Sequence, residues 1–145
     1  MALDAGFEQV YTVTDFYDGP RQGIADFNGK PHLFVSEFEN ETQEFGMYHV
    51  SLVTEEILEL ALEGWAIWRR WETAFHQGLT TTETHPALPE DRSRHLELEL
   101  LLQTVLVLDE NTARKVEAVF KPHIDPGWNQ LGARPLQVNW TTRAR

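Results

Sequence analysis

Arg69, Glu72 and His76 stand at i, i+3 and i+7 in an uninterrupted helical pattern, a spacing that lets neighbouring members touch on one helix face. A carboxyl group flanked by a guanidinium, an imidazole and the rings of Trp65 and Trp68 has the ingredients of a general acid or base. Burial raises its proton affinity and the cationic neighbours lower it again. These three residues are the candidate catalytic set. The competing reading is structural: Glu72 holds Arg69 in place, and His76 sits near a helix C-terminus because the dipole favours it there.

Other groups suggest weaker chemistry. His76, His85 and His95 fall on a helix end, an inter-helix loop and a second helix, with Glu90 and Asp91 close by. Imidazoles with carboxylates suit zinc, iron or manganese, yet no His-Glu-x-x-His or Glu-x-x-His spacing occurs. Ser36, Ser51 and Ser93 lack any nucleophile-elbow context. Arg21, in the turn after Asp18-Gly19-Pro20, could meet an anion, but no phosphate-loop glycine pattern surrounds it. A partner surface is expected at Glu37, Glu39, Glu41 and Glu44, where Phe38 and Phe45 are interleaved with the acids. Trp128, in an Asp-Pro-Gly-Trp loop, is a second partner-binding candidate, since exposed tryptophan anchors many interfaces. Capping an open sheet end is its alternative use.

The elements that would carry these groups follow from periodicity. Alternating, β-branched stretches predict strands at 10–15, 24–27, 31–38 and 47–53, with Asn28-Gly29 as a two-residue hairpin turn. Leu33, Phe34 and Val35 place apolar groups on both faces, so that strand should be covered on both sides. Thr54 with Glu55 and Glu56 opens a helix over 55–77, stopped by Gly78. Pro89-Glu90-Asp91 opens a second over 90–106, whose end is blurred by the alternation Leu96-Glu97-Leu98-Glu99-Leu100. Strands at 115–122 and 136–141 complete the chain. Segregated strands and helices predict one α+β domain spanning 1–145. Its core would be an antiparallel meander, open to closure as an SH3-like half-barrel, with an inserted two-helix hairpin and two C-terminal strands. The apolar arc of the first helix spans roughly 220°, more than a surface helix needs. That helix should lie between sheet and second helix, or bury its excess in a homodimer.

Composition narrows the function classes. The chain has 145 residues, a prior for one domain, and no cysteine, which excludes thiol catalysis, disulfides and Cys-ligated zinc. Net charge is −11, with the acids concentrated before residue 100, so phosphate backbones and anionic membrane surfaces are repelled. The first ten residues lack a signal-peptide pattern, and a cytoplasmic location is expected. No motif names a cofactor. The expectation is a small acidic binding or interaction module for a protein partner or small ligand. The alternative is a small enzyme using Glu72 and His76 as an acid–base pair, metal-assisted through His85 and His95.

Overall fold

The computed structural model describes residues 2–16, 19–37, 46–123 and 132–142. Six strands run β1 (Glu8–Phe16), β2 (Pro20–Phe27), β3 (Lys30–Ser36), β4 (Met47–Leu52), β5 (Arg114–Pro122) and β6 (Leu136–Thr142). Helices α1 (Glu55–His76) and α2 (Arg92–Val105) lie between β4 and β5. Every strand pairs antiparallel with the next, and β6 returns to β1. The mixed α+β antiparallel meander is therefore present, but it forms a closed six-stranded barrel, correcting the expected half-barrel.

Closure depends on the first two strands. The β1–β2 register shifts between Val10 and Thr12, between Val13 and Asp15, and between Asp15 and Phe16. Such irregularities bend and twist a strand, allowing β1 to face β2 on one side and β6 on the other. Gly23 sits where a Cβ would fall 2.9 Å from Phe34 Cζ and would also collide with the Thr12 carbonyl. Only glycine lets β1 pass this close. The Asn28-Gly29 turn has φ of 56° and 79°, the left-handed pair that a tight hairpin requires. The Glu8 carboxylate accepts from both turn amides, at 3.1 Å and 2.7 Å.

The barrel is filled by its own side chains. Ala25, Phe27, Phe34, Tyr48, Val50, Val116, Ala118 and Val138 form its buried core, with Phe120 and Trp140 against it. Phe34, Tyr48, Phe120 and Trp140 meet at ring-centroid distances of 5.4–6.1 Å, largely edge to face. The buried Tyr48 hydroxyl donates to the Pro20 carbonyl at 2.6 Å, and burial raises its pKa.

Alternation along β3 sends Phe34 into the barrel and Leu33 and Val35 to the outside. There, with Ile24 and Val53, they meet Ile57, Leu58 and Ala61 of α1. A neighbouring face of α1 uses Leu60 and Ile67 to pack on Ala87 and Leu98. Ion pairs Arg70–Asp91 and Arg94–Glu63 tie the two helices in antiparallel order. Thr54 Oγ1 caps α1 by accepting from the Ile57 amide at 3.2 Å, and Gly78, at φ 76°, follows its C-terminal end. No helix among the described residues is long and apolar enough to cross a membrane.

Candidate functional site

Glu72 is the buried charged group in the C-terminal half of α1, with 8% of its surface exposed. Arg69 Nη1 donates to Glu72 Oε1 one turn away. The other oxygen, Oε2, accepts from the Ala133 backbone amide at 3.0 Å, far along the sequence. The chain closes on the carboxylate so tightly that a Cβ on Gly132 would lie 2.7 Å from Glu72 Cγ and closer still to the carboxyl group. Gly132 has φ 103°, a conformation natural to glycine alone. Both carboxylate oxygens are thus engaged, one by a side chain of the same helix and one by the backbone leading into β6.

His76 stands apart from this arrangement. His76 is exposed and its ring lies edge-on to Phe75, with centroids 5.5 Å apart. No hydrogen bond joins it to Glu72 among the described residues. Spacing at i, i+4 gives adjacency on the helix, but the last helical residue turns its ring outward while Glu72 turns toward the Gly132–Ala133 backbone. Arg69 and Glu72 are brought together; His76 is not. Trp65 and Trp68 are half-buried and tilted against each other at 5.2 Å.

The histidines do not converge on a metal. His85 lies edge-on to Trp71 at 4.7 Å, and His95 is on α2. Among the described residues there is no group of three or more His, Cys, Asp or Glu side chains able to hold a metal ion. Asp91, the carboxylate expected nearby, is occupied by Arg70 in a two-point contact at 3.0 Å.

The acidic partner surface is described only at its first member. Glu37 accepts from Lys115 Nζ at 3.1 Å and lies 3.0 Å from His49 Nε2. The lysine, then the histidine, hold its carboxyl below the usual range. Glu39, Glu41, Glu44, Phe38, Phe45 and Trp128 lie outside the described residues. Arg21 Nη1 donates to Ser36 Oγ at 3.2 Å, joining adjacent strands β2 and β3.

Sequence reasoning passed over a different feature. α2 fully buries only Leu98, while Leu96 is 51%, Leu100 69%, Leu101 43% and Val105 42% exposed, with Val107 just beyond at 58%. The signal was the Leu-Glu alternation of 96–100, which on a helix puts Leu98 opposite Leu96 and Leu100. Glu97 and Glu99 lie on either side of Leu96 and Leu100, Leu101 and Val105 fall on the Leu98 side, and Glu97 receives Arg94 Nη1 at 2.8 Å.

Comparison with known proteins finds no matching family model, no matching curated protein and no matching solved structure.

Proposed function

We propose that this chain is a non-catalytic binding module whose target is another protein, seated on the outward face of α2. The carrying observation is the exposed pair Leu96 and Leu100, one turn apart on the side of α2 away from buried Leu98. Exposed apolar side chains that lie together on one helix face mark interaction sites. The barrel interior and the barrel–α1 interface are filled by their own side chains, which directs the reading to the exterior. An enzymatic role for Glu72 gains no support, because its carboxylate is engaged on both oxygens.

The occupant is a different chain rather than a second copy. Pairing α2 with itself about a two-fold axis level with Leu98 would bring Leu96 near Leu100, but would set Glu97 beside Glu97 and Glu99 beside Glu99 of the other copy. Two bodies of net charge −11 also repel.

The test is a methyl NMR titration with synthetic amphipathic helices. Leucine methyls of α2 should shift, and Leu96→Ser with Leu100→Ser should abolish the effect. Both positions are exposed, so the double variant should keep its stability within about 1 kcal/mol. If no helix of any charge moves the α2 methyls, the proposal fails.

A further inference from the structure

We infer that the barrel end carrying the β2–β3 hairpin is a second binding site, which takes a small carboxylate with a compact apolar body. The inference rests on the barrel alone and is independent of the docking proposed for α2.

Strand register places the site. Phe27 pairs with Lys30, His32 with Leu52, and Val50 with Arg114, in ladders without register shifts. Phe34, Val50 and Val116 belong to the barrel core, so His32, Leu52 and Arg114, each two residues away, stand on the same inward side at the barrel's end. Lys30 shares that side with buried Phe27. Strands β2 and β5 are opposite staves of the closed six. The Arg114 side chain therefore reaches across the opening, where its guanidinium carbon lies 5.3 Å from the Phe27 ring centroid. His32 meets the same ring edge to face at 5.2 Å, and its Nδ1 donates to the Lys30 carbonyl at 2.8 Å. Leu52, paired with His32 and 56% exposed, adds an uncovered apolar surface to the rim.

Charge selects the ligand. The chain holds 23 acids against 12 bases, yet neither Arg114 nor Lys30 forms an ion pair among the described residues. The carboxylate at this end, Glu8, is taken by the Asn28 and Gly29 amides. An aromatic face attracts a guanidinium but gives its N–H groups no strong acceptor, which leaves them open to an oxyanion. A carboxylate accepts two parallel N–H bonds from such a fork, and Lys30 adds a second positive charge. Leu52 then receives the apolar body, which an inorganic anion would not supply.

NMR titrations of the full chain, read at the Leu52 methyls and at the Trp140 indole, whose ring lies 6.1 Å from Phe27, separate the outcomes. Benzoate should shift both signals, with a Kd on the order of millimolar. Neutral benzamide should bind roughly tenfold more weakly, because the charge-assisted bonds are lost. Acetate should also be roughly tenfold weaker, since it lacks the apolar body. Arg114→Gln should weaken benzoate roughly tenfold, and Lys30→Gln roughly two- to fivefold. Leu52→Ser should weaken benzoate while leaving acetate unchanged, a test that does not depend on how Arg114→Gln folds. Equal binding of benzamide and benzoate, or full affinity in a folded Arg114→Gln variant, overturns the anion site. Equal affinity of acetate and benzoate overturns the apolar body. Shifts that avoid Leu52 and Trp140, or no shifts, overturn the site itself while the α2 reading stands. N-acetylphenylalanine binding more tightly than benzoate would support a peptide C-terminus as the source of the carboxylate, and the reverse order a free acid.

Discussion

Glu72 joins two regions that are distant in sequence, and each of its oxygens has a separate task. One oxygen fixes Arg69 on α1; the other receives the Ala133 amide and holds the approach to β6 against the helix. Breaking such a buried arrangement by removing one charge is costly. Glu72→Gln should therefore lower stability by about 3 kcal/mol in urea unfolding and speed hydrogen exchange at the Ala133 amide. Gly132→Ala should cost about 2 kcal/mol, since it adds a clash with Glu72 at a φ that alanine disfavours. An unchanged unfolding midpoint in either variant would contradict the latch. The sequence made the Arg69 contact legible, because i, i+3 neighbours meet on any helix. The Ala133 contact was not legible: it joins residues 61 apart, and helical spacing carries no information about it. The direction of the His76 ring was not legible either, because spacing says which side chains are adjacent, not which way a terminal ring turns.

At the scale of elements, two carboxylates on the barrel respond to acid with opposite sign. Glu37, after β3, is held below its ordinary 4.5 by Lys115 of β5 and then by His49 of β4. A carboxyl depressed on folding adds stability above its unfolded pKa and loses it as pH falls through the folded value. Glu37→Gln should thus flatten the acid limb of the stability curve. Asp26 of β2 is raised above 3.8, chiefly by burial, although the Tyr11 hydroxyl donates to it at 3.0 Å. Its contribution is present at low pH and lost as pH rises through the folded value. Asp26→Asn should stabilise at neutral pH and confer nothing in strong acid, as thermal melts across pH would record. The Asn28-Gly29 turn and the two-faced burial of Leu33, Phe34 and Val35 were legible because they are short-range consequences of backbone and alternation. The outer leucines of α2 were harder to interpret, because alternation on five residues suits a strand as well as a helix.

Across the whole molecule, the closing seam is the least reinforced part of the barrel. β1 and β6 share only two residue pairs, Glu8–Val138 and Gln9–Gln137, against seven between β5 and β6. Side chains supplement this seam. Asn139 Nδ2 donates to the Gly6 carbonyl at 2.7 Å and Gln137 Oε1 accepts from the Asp4 amide at 2.8 Å, while Trp140 Nε1 ties β6 to β2 by donating to the Asp26 carbonyl at 2.7 Å. Native-state hydrogen exchange should find the β1–β6 amides opening before those of β2–β3, and Asn139→Ala should cost about 1 kcal/mol. If the seam amides exchanged last, this ranking would be wrong. Closure could not be read in advance, because the partner of the first strand is the last one and no local pattern encodes that choice.

The position of the two helices also has a kinetic consequence. β4 and β5 are adjacent staves, Val50 beside Arg114, yet the whole of 53–113 intervenes between them. Bringing the ends of so long a segment together costs roughly 1.5 kcal/mol more in chain entropy than closing a ten-residue turn. Folding the helices first shortens the effective tether. The Arg94–Glu63 and Arg70–Asp91 pairs draw the segment back on itself, the Asp109 amide donates to Ser51 Oγ at 3.2 Å where it leaves, and the Val53 amide donates to the Pro31 carbonyl at 3.0 Å where it enters. Weakening the helical pair should therefore delay the joining of β5 and β6 to the first four strands, making the insertion a determinant of how fast the barrel forms as well as of what it displays.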